Sequence, residues 1–171
     1  MTQSTLPASP AASRVAQEPA MERTNYASLC LMEHQIMQHV KDALRITLGW
    51  DVRSVGLARK VSSVQFTMQS LRRHLERVMN LEEEDGYMRS VRELKPNLYD
   101  RVANLRLEHQ EFRRTLESLL PALEKVNPSD EDRFDEVCAE LNAFLARIDR
   151  HDKQETELLQ TAFYDDIGGE G

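Results

Sequence analysis

Apolar residues recur along this chain at intervals of three and four, and four stretches hold that rhythm long enough to be helices. The first runs from about Ala27 to Leu48, before the interruption from Gly49 to Gly56. The second runs from about Leu57 to Glu83 and stops at Asp85-Gly86, and a connection then leads to Pro96. The third runs from about Leu98 to Val126, with Asn97 as a candidate cap and Pro121 as a point where it kinks or ends early. The fourth begins near Ser129, where Asp130, Glu131 and Asp132 suit the positive end of a helix dipole. It continues to about Tyr164, before Asp165-Asp166-Ile167-Gly168-Gly169 breaks it. Four long helices with short links predict an all-α, antiparallel up-down-up-down four-helix bundle.

The apolar stripes are interrupted in a telling way. On the fourth helix the line reads Leu141, Phe144, Ile148, His151, Glu155, Leu158, Ala162. On the third it reads Val102, Leu105, His109, Phe112, Leu116, Leu119, and on the second Val64, Met68, Leu71, Leu75, Val78, Glu82. The first helix aligns Cys30, Met37, Leu44 and Leu48, with Val40 beside them, His34 at one edge of the arc and His39 near the other. Burying a polar group without a partner costs roughly 2–7 kcal/mol, and a charge costs more. One histidine in such a line is ordinarily a hydrogen-bonded core residue. Candidates on all four helices, with His151 and Glu155 one turn apart on one face, are what a bundle needs to hold a metal. Imidazole nitrogen and carboxylate oxygen suit iron, manganese or zinc.

Composition supports a helical protein: of 171 residues 40% are hydrophobic and 30% charged, with only six glycines and six prolines. The first 22 residues hold half of the prolines among many Ser, Ala, Thr and Gln, and are expected to form a disordered tail before a bundle spanning 23–171. A net charge of −7 argues against nucleic acid or an anionic membrane as partner. The basic run of Arg53, Arg59, Lys60, Arg72, Arg73 and Arg77 has no interleaved aromatics and is expected to be a solvated helix face. Cys30 and Cys138 follow no metal-knuckle or redox spacing and are expected to be reduced thiols. No apolar run reaches the length of a membrane span, and the N-terminus lacks the basic start and apolar core of a secretory signal. The expected location is the cytoplasm.

The segments MEHQIMQHV, LRRHLERVMNLEEEDGYM, LRLEHQEF and RHDKQETELL followed by YDDIGG resemble the bacterial hemerythrin-like proteins, or HHE cation-binding domains, over roughly residues 27–169. That resemblance implies a hemerythrin-like bundle around a non-haem di-iron centre that binds or senses oxygen or handles iron. It implies His34, Glu82, His109, His151 and Glu155 as ligands, with Glu82 and Glu155 bridging. One position departs. The family's second helix usually carries a histidine four residues before the glutamate, and Val78 stands there. His74, a further turn back and roughly 6 Å along the axis, and His39 are the candidate substitutes.

Two functions from different classes follow. In the first, a site of three histidines and two glutamates holds one or two irons and binds or senses oxygen or a related small oxidant, without turnover. In the second, the iron is partly or wholly lost and the bundle is a metal-free interaction or structural module. A di-metal oxidase ranks last, since no substrate pocket or base is identifiable. The sequence names no protein partner.

Overall fold

A computed structural model describes residues 18–51, 56–84 and 86–163, with side chains from residue 28 onward. It contains four long helices: α1 (Glu18–Leu48), α2 (Leu57–Glu84), α4 (Tyr99–Glu124) and α5 (Glu131–Phe163). A short helix, α3 (Tyr87–Leu94), and a 3₁₀ turn (Pro96–Leu98) connect α2 to α4. Helix α1 packs along α2, α2 along α4, α4 along α5, and α5 back along α1. Cross-helix bonds fix the directions. Gln65 meets the carbonyl of Leu123 while Arg113 meets Asn80, so α2 and α4 are antiparallel. Arg147 meets Glu111 while Arg101 meets Thr161, so α4 and α5 are antiparallel as well. The expected up-down-up-down bundle is the one found.

Local chemistry explains the element boundaries. Asp130 caps α5 by accepting from the backbone N–H of Arg133 at 3.1 Å, and Glu131 and Asp132 occupy its first turn. Asn97 does not cap α4; it lies inside the 3₁₀ turn that Pro96 begins, and α4 starts at Tyr99 without a side-chain cap. Pro121 does not end α4 early; it lies in the last turn, and the helix runs on to Glu124. Helix α1 begins at Glu18, inside the segment expected to be tail; Pro19 suits a first helical turn, so the helix extends upstream of the apolar pattern. Residues 1–17 lie outside the described residues.

The stripes read from the sequence are buried as expected on α2, α4 and α5. Their polar members split the core in two. The larger apolar cluster includes Met37, Val78, Phe112, Phe144 and Ile148. The smaller includes Met88, Val91, Val102, Leu105 and Leu158, with Tyr87 packed against it. Glu82, His109, His151 and Glu155 form the layer between them: α4 and α5 pass from one cluster to the other at His109 and at His151 and Glu155, and Glu82 follows the last residue that α2 gives to the larger cluster.

Candidate metal centre

Glu82, His109, His151 and Glu155 are all buried, and each offers a donor atom within 4.8 Å of the others. Helix periodicity puts them there. His151 and Glu155 are one turn apart on α5, while His109 and Glu82 continue the apolar lines of α4 and α2. The Nε2 atoms of His109 and His151 are 2.9 Å apart, with ring centroids at 4.7 Å. His151 Nε2 is 3.3 Å from Glu155 Oε1, and His109 Nε2 is 3.4 Å from Glu82 Oε2. Phe112 lies edge-on to His151 at 5.2 Å and closes the site toward the larger cluster.

His34 joins at the margin. It is half-buried, and its Nε2 lies 2.8 Å from Glu82 Oε1 while its Nδ1 donates to the carbonyl of Cys30 at 2.9 Å. The two candidate substitutes do not join. His39 is exposed and donates to the carbonyl of Gln35 at 2.7 Å, one turn back on its own helix. His74 meets buried Glu33 at 2.9 Å, beside Arg77. It precedes Glu82 by two turns, about 12 Å along the axis, which keeps it out of the cluster. Val78 is 3% exposed and belongs to the larger apolar cluster.

Three residues at the site escape a search for buried stripes. Glu83 accepts from His109 Nδ1 at 2.8 Å and from Arg113 at 2.9 Å. Glu108 pairs with His151 Nδ1 at 2.6 Å. Each adjoins a stripe residue in sequence, and that adjacency was the available signal. Tyr87, at the start of α3, donates its hydroxyl to Glu155 Oε1. Lys41 was also unforeseen: it is 1% exposed on α1 and pairs with Asp149 at 3.0 Å and Asp152 at 2.6 Å.

The electrostatics are those of a site crowded with competing donors. Burial, reinforced by Glu155, raises Glu82 to about 8. The Glu82 carboxylate raises His34 to about 9 against the opposing effect of burial. Burial works to lower His151, but Glu155 and Glu108 outweigh it and raise the imidazole to about 9. Burial and then the neighbouring His151 lower His109. Burial works to raise Glu155, yet His151 and Tyr87 hold it below its ordinary value.

The donor set fits a metal ion. With Glu83 and Glu108 ionised, both Nδ1 atoms are donors, so once His151 gives up its second proton the two neutral rings point Nε2 lone pairs at each other across 2.9 Å. Such an arrangement needs a proton or a cation between the rings. The two buried oxygens of Glu82 have only ring nitrogens near them, His34 Nε2 at 2.8 Å and His109 Nε2 at 3.4 Å, neither in good hydrogen-bond alignment, and an ion would satisfy both. Carboxylates on the remote nitrogens are the usual orienting groups of metal-bound histidine.

A family model described as the hemerythrin HHE cation binding domain matches residues 28–163. No curated protein matches the chain, and no solved structure does.

Proposed function

The chain belongs to the hemerythrin HHE cation-binding family, and on that footing we propose that its buried His/Glu layer binds non-haem iron to bind or sense oxygen or a related small oxidant, without turnover. The facing Nε2 atoms of His109 and His151, with both Nδ1 atoms committed to carboxylates, carry this reading. Bound iron with an open coordination position supplies affinity for a small oxidant and electron exchange with it.

The chain supplies the rest. His109 and His151 would hold the ion through Nε2, and Glu82 and Glu155 through carboxylate oxygens. Glu83 and Glu108 fix the ring orientations. Apolar clusters on both sides of the layer exclude water and raise the strength of each electrostatic contact. His34, whose Nε2 lies 2.8 Å from Glu82 Oε1, would serve a second ion, and the buried Val78 would leave that ion short of a ligand. No helix among the described residues is long and apolar enough to cross a membrane.

Val78 favours a second reading, a metal-free bundle acting as an interaction module, because a buried valine fills space where an imidazole would bind. Reconstitution with ferrous iron, desalting and metal analysis separates the two. Retained iron whose absorption spectrum changes reversibly between nitrogen and air supports the first; a chain that retains no iron supports the second.

A further inference from the structure

Tyr87 has no assigned role in the metal centre, yet its hydroxyl donates to Glu155, one of the four converging residues. The oxygen of Glu155 that accepts from Tyr87 is the one 3.3 Å from His151 Nε2 and 4.0 Å from His109 Nε2. The phenol oxygen is therefore one hydrogen bond from the converging donors. Its ring is held by the smaller apolar cluster, which includes Met88, Val91 and Leu158.

The backbone is shaped to deliver this residue. Gly86 is buried, and a Cβ there would stand 2.6 Å from Glu82 Cα, 2.6 Å from the Leu81 carbonyl oxygen and 2.8 Å from that of Glu82. These are backbone atoms of α2 and cannot move aside. Its φ of −85° suits any residue, so the requirement is for space. The chain thus folds back over the last turn of α2 at a distance only glycine allows. The next residue, Tyr87, reaches Glu155 on α5 from there.

We propose that Tyr87 is a direct ligand of the ion held by Glu82, His109, His151 and Glu155. This rests on the metal-binding reading above and adds a fifth donor to it. As the oxygen–metal bond forms, the O–H bond breaks and the proton leaves to solvent. A phenol oxygen is a hard anionic donor and favours a ferric ion over softer metals. Because Tyr87 approaches the Glu155 oxygen that faces both histidines, the ion sits on the His109–His151 side. Tyr87 therefore does not replace the ligand missing at Val78; it completes the half of the centre that the chain retains.

The test is to load the full chain with ferric citrate, desalt it, and record visible absorption and resonance Raman spectra beside a metal analysis. Expected are a visible phenolate-to-iron charge-transfer band and resonance-enhanced phenolate ring vibrations. Tyr87→Phe keeps the ring in its apolar cluster, so it should keep the helix content while losing both signals and about tenfold or more in iron affinity. Tyr99→Phe, at an exposed position on α4, should retain the signals. Bound iron with neither signal, or signals that survive in Tyr87→Phe, overturns the assignment of Tyr87 alone. A wild-type chain that takes up no iron overturns the metal-binding reading as well.

Discussion

His109 and His151 face each other through Nε2 atoms 2.9 Å apart, while each gives its other ring nitrogen to a carboxylate on an adjacent helix. Glu83 is the better fixed of those carboxylates, with its side chain 15% exposed and paired with Arg113, whereas Glu108 is 36% exposed. Glu83→Gln should therefore weaken metal binding about tenfold or more with little change in fold, and Glu108→Gln should weaken it less. Competition against a chelator of known affinity measures both. Equal affinities in wild type and Glu83→Gln would show that Glu83 does not orient the site.

Val78 is the expected cause of an incomplete centre. The wild-type chain should hold less than a full pair of irons, and Val78→His should raise the occupancy. Without metal, the unpartnered imidazole should cost about 1–3 kcal/mol. Metal should more than recover that loss, because an ion that binds only the folded state stabilises it. Metal analysis and melting with and without iron check both halves. A full pair in the wild type would contradict this account of Val78.

The bundle and its buried His/Glu cluster were legible because helical periodicity marks what is buried. Val64 to Glu82, Val102 to Leu119 and Leu141 to Ala162 each form an unbroken line, and every member is buried. The orienting carboxylates were hidden by the same logic. Glu83 and Glu108 sit one residue off a stripe, where charge normally means solvent. Lys41 and Glu33 were hidden similarly, since their burial depends on partners from other helices. Tyr87 fell in a segment read as a plain connection, because α3 is only eight residues long and its role depends on the close approach at Gly86. The choice between His34 and His39 depended on the exact rotation of α1, and the structure turns His34 toward Glu82.

Gly86→Ala tests that close approach. The added methyl cannot be accommodated without moving backbone, so a loss of about 1–3 kcal/mol is expected. Metal affinity should fall with it, since both Glu82 and Tyr87 flank the displaced turn. Thermal melting and chelator competition give the two readouts. A melting temperature equal to that of the wild type would contradict the proposed geometry.

Stability of the metal-free protein should fall as pH rises. His34 and His151 go from an ordinary 6.5 to about 9 on folding, and Glu82 from 4.5 to about 8. Between the ordinary and shifted values the folded chain binds more protons than the unfolded one, so raising pH favours unfolding. The stabilisation is full below the ordinary values and is lost as pH passes through about 8 to 9. His109 and Glu155, both lowered, act oppositely and lose their contribution only as pH falls. Chelator-treated protein should thus melt at a lower temperature at pH 9 than at pH 7. Iron-loaded protein should not, because the ion replaces those protons. Equal melting temperatures for the chelated samples would count against this scheme.

Lys41 presents a separate balance. Its partners Asp149 and Asp152 are 46% and 30% exposed and stay hydrated without it, so Lys41→Met should change stability by less than about 1.5 kcal/mol. Replacing both aspartates with alanine leaves a buried ammonium unpaired and should cost about 3–5 kcal/mol. Denaturant unfolding of the two variants decides the point, and the opposite ranking would contradict it.

Every role proposed for the site rests on Glu82, His109, His151 and Glu155 holding a metal ion. The most direct test is metal analysis of the full chain after iron reconstitution and desalting, with the double variant His109→Gln/His151→Gln treated in parallel. The wild type should retain iron and the double variant should lose it while remaining helical. A wild-type chain without iron, or a double variant that retains as much, would contradict the account.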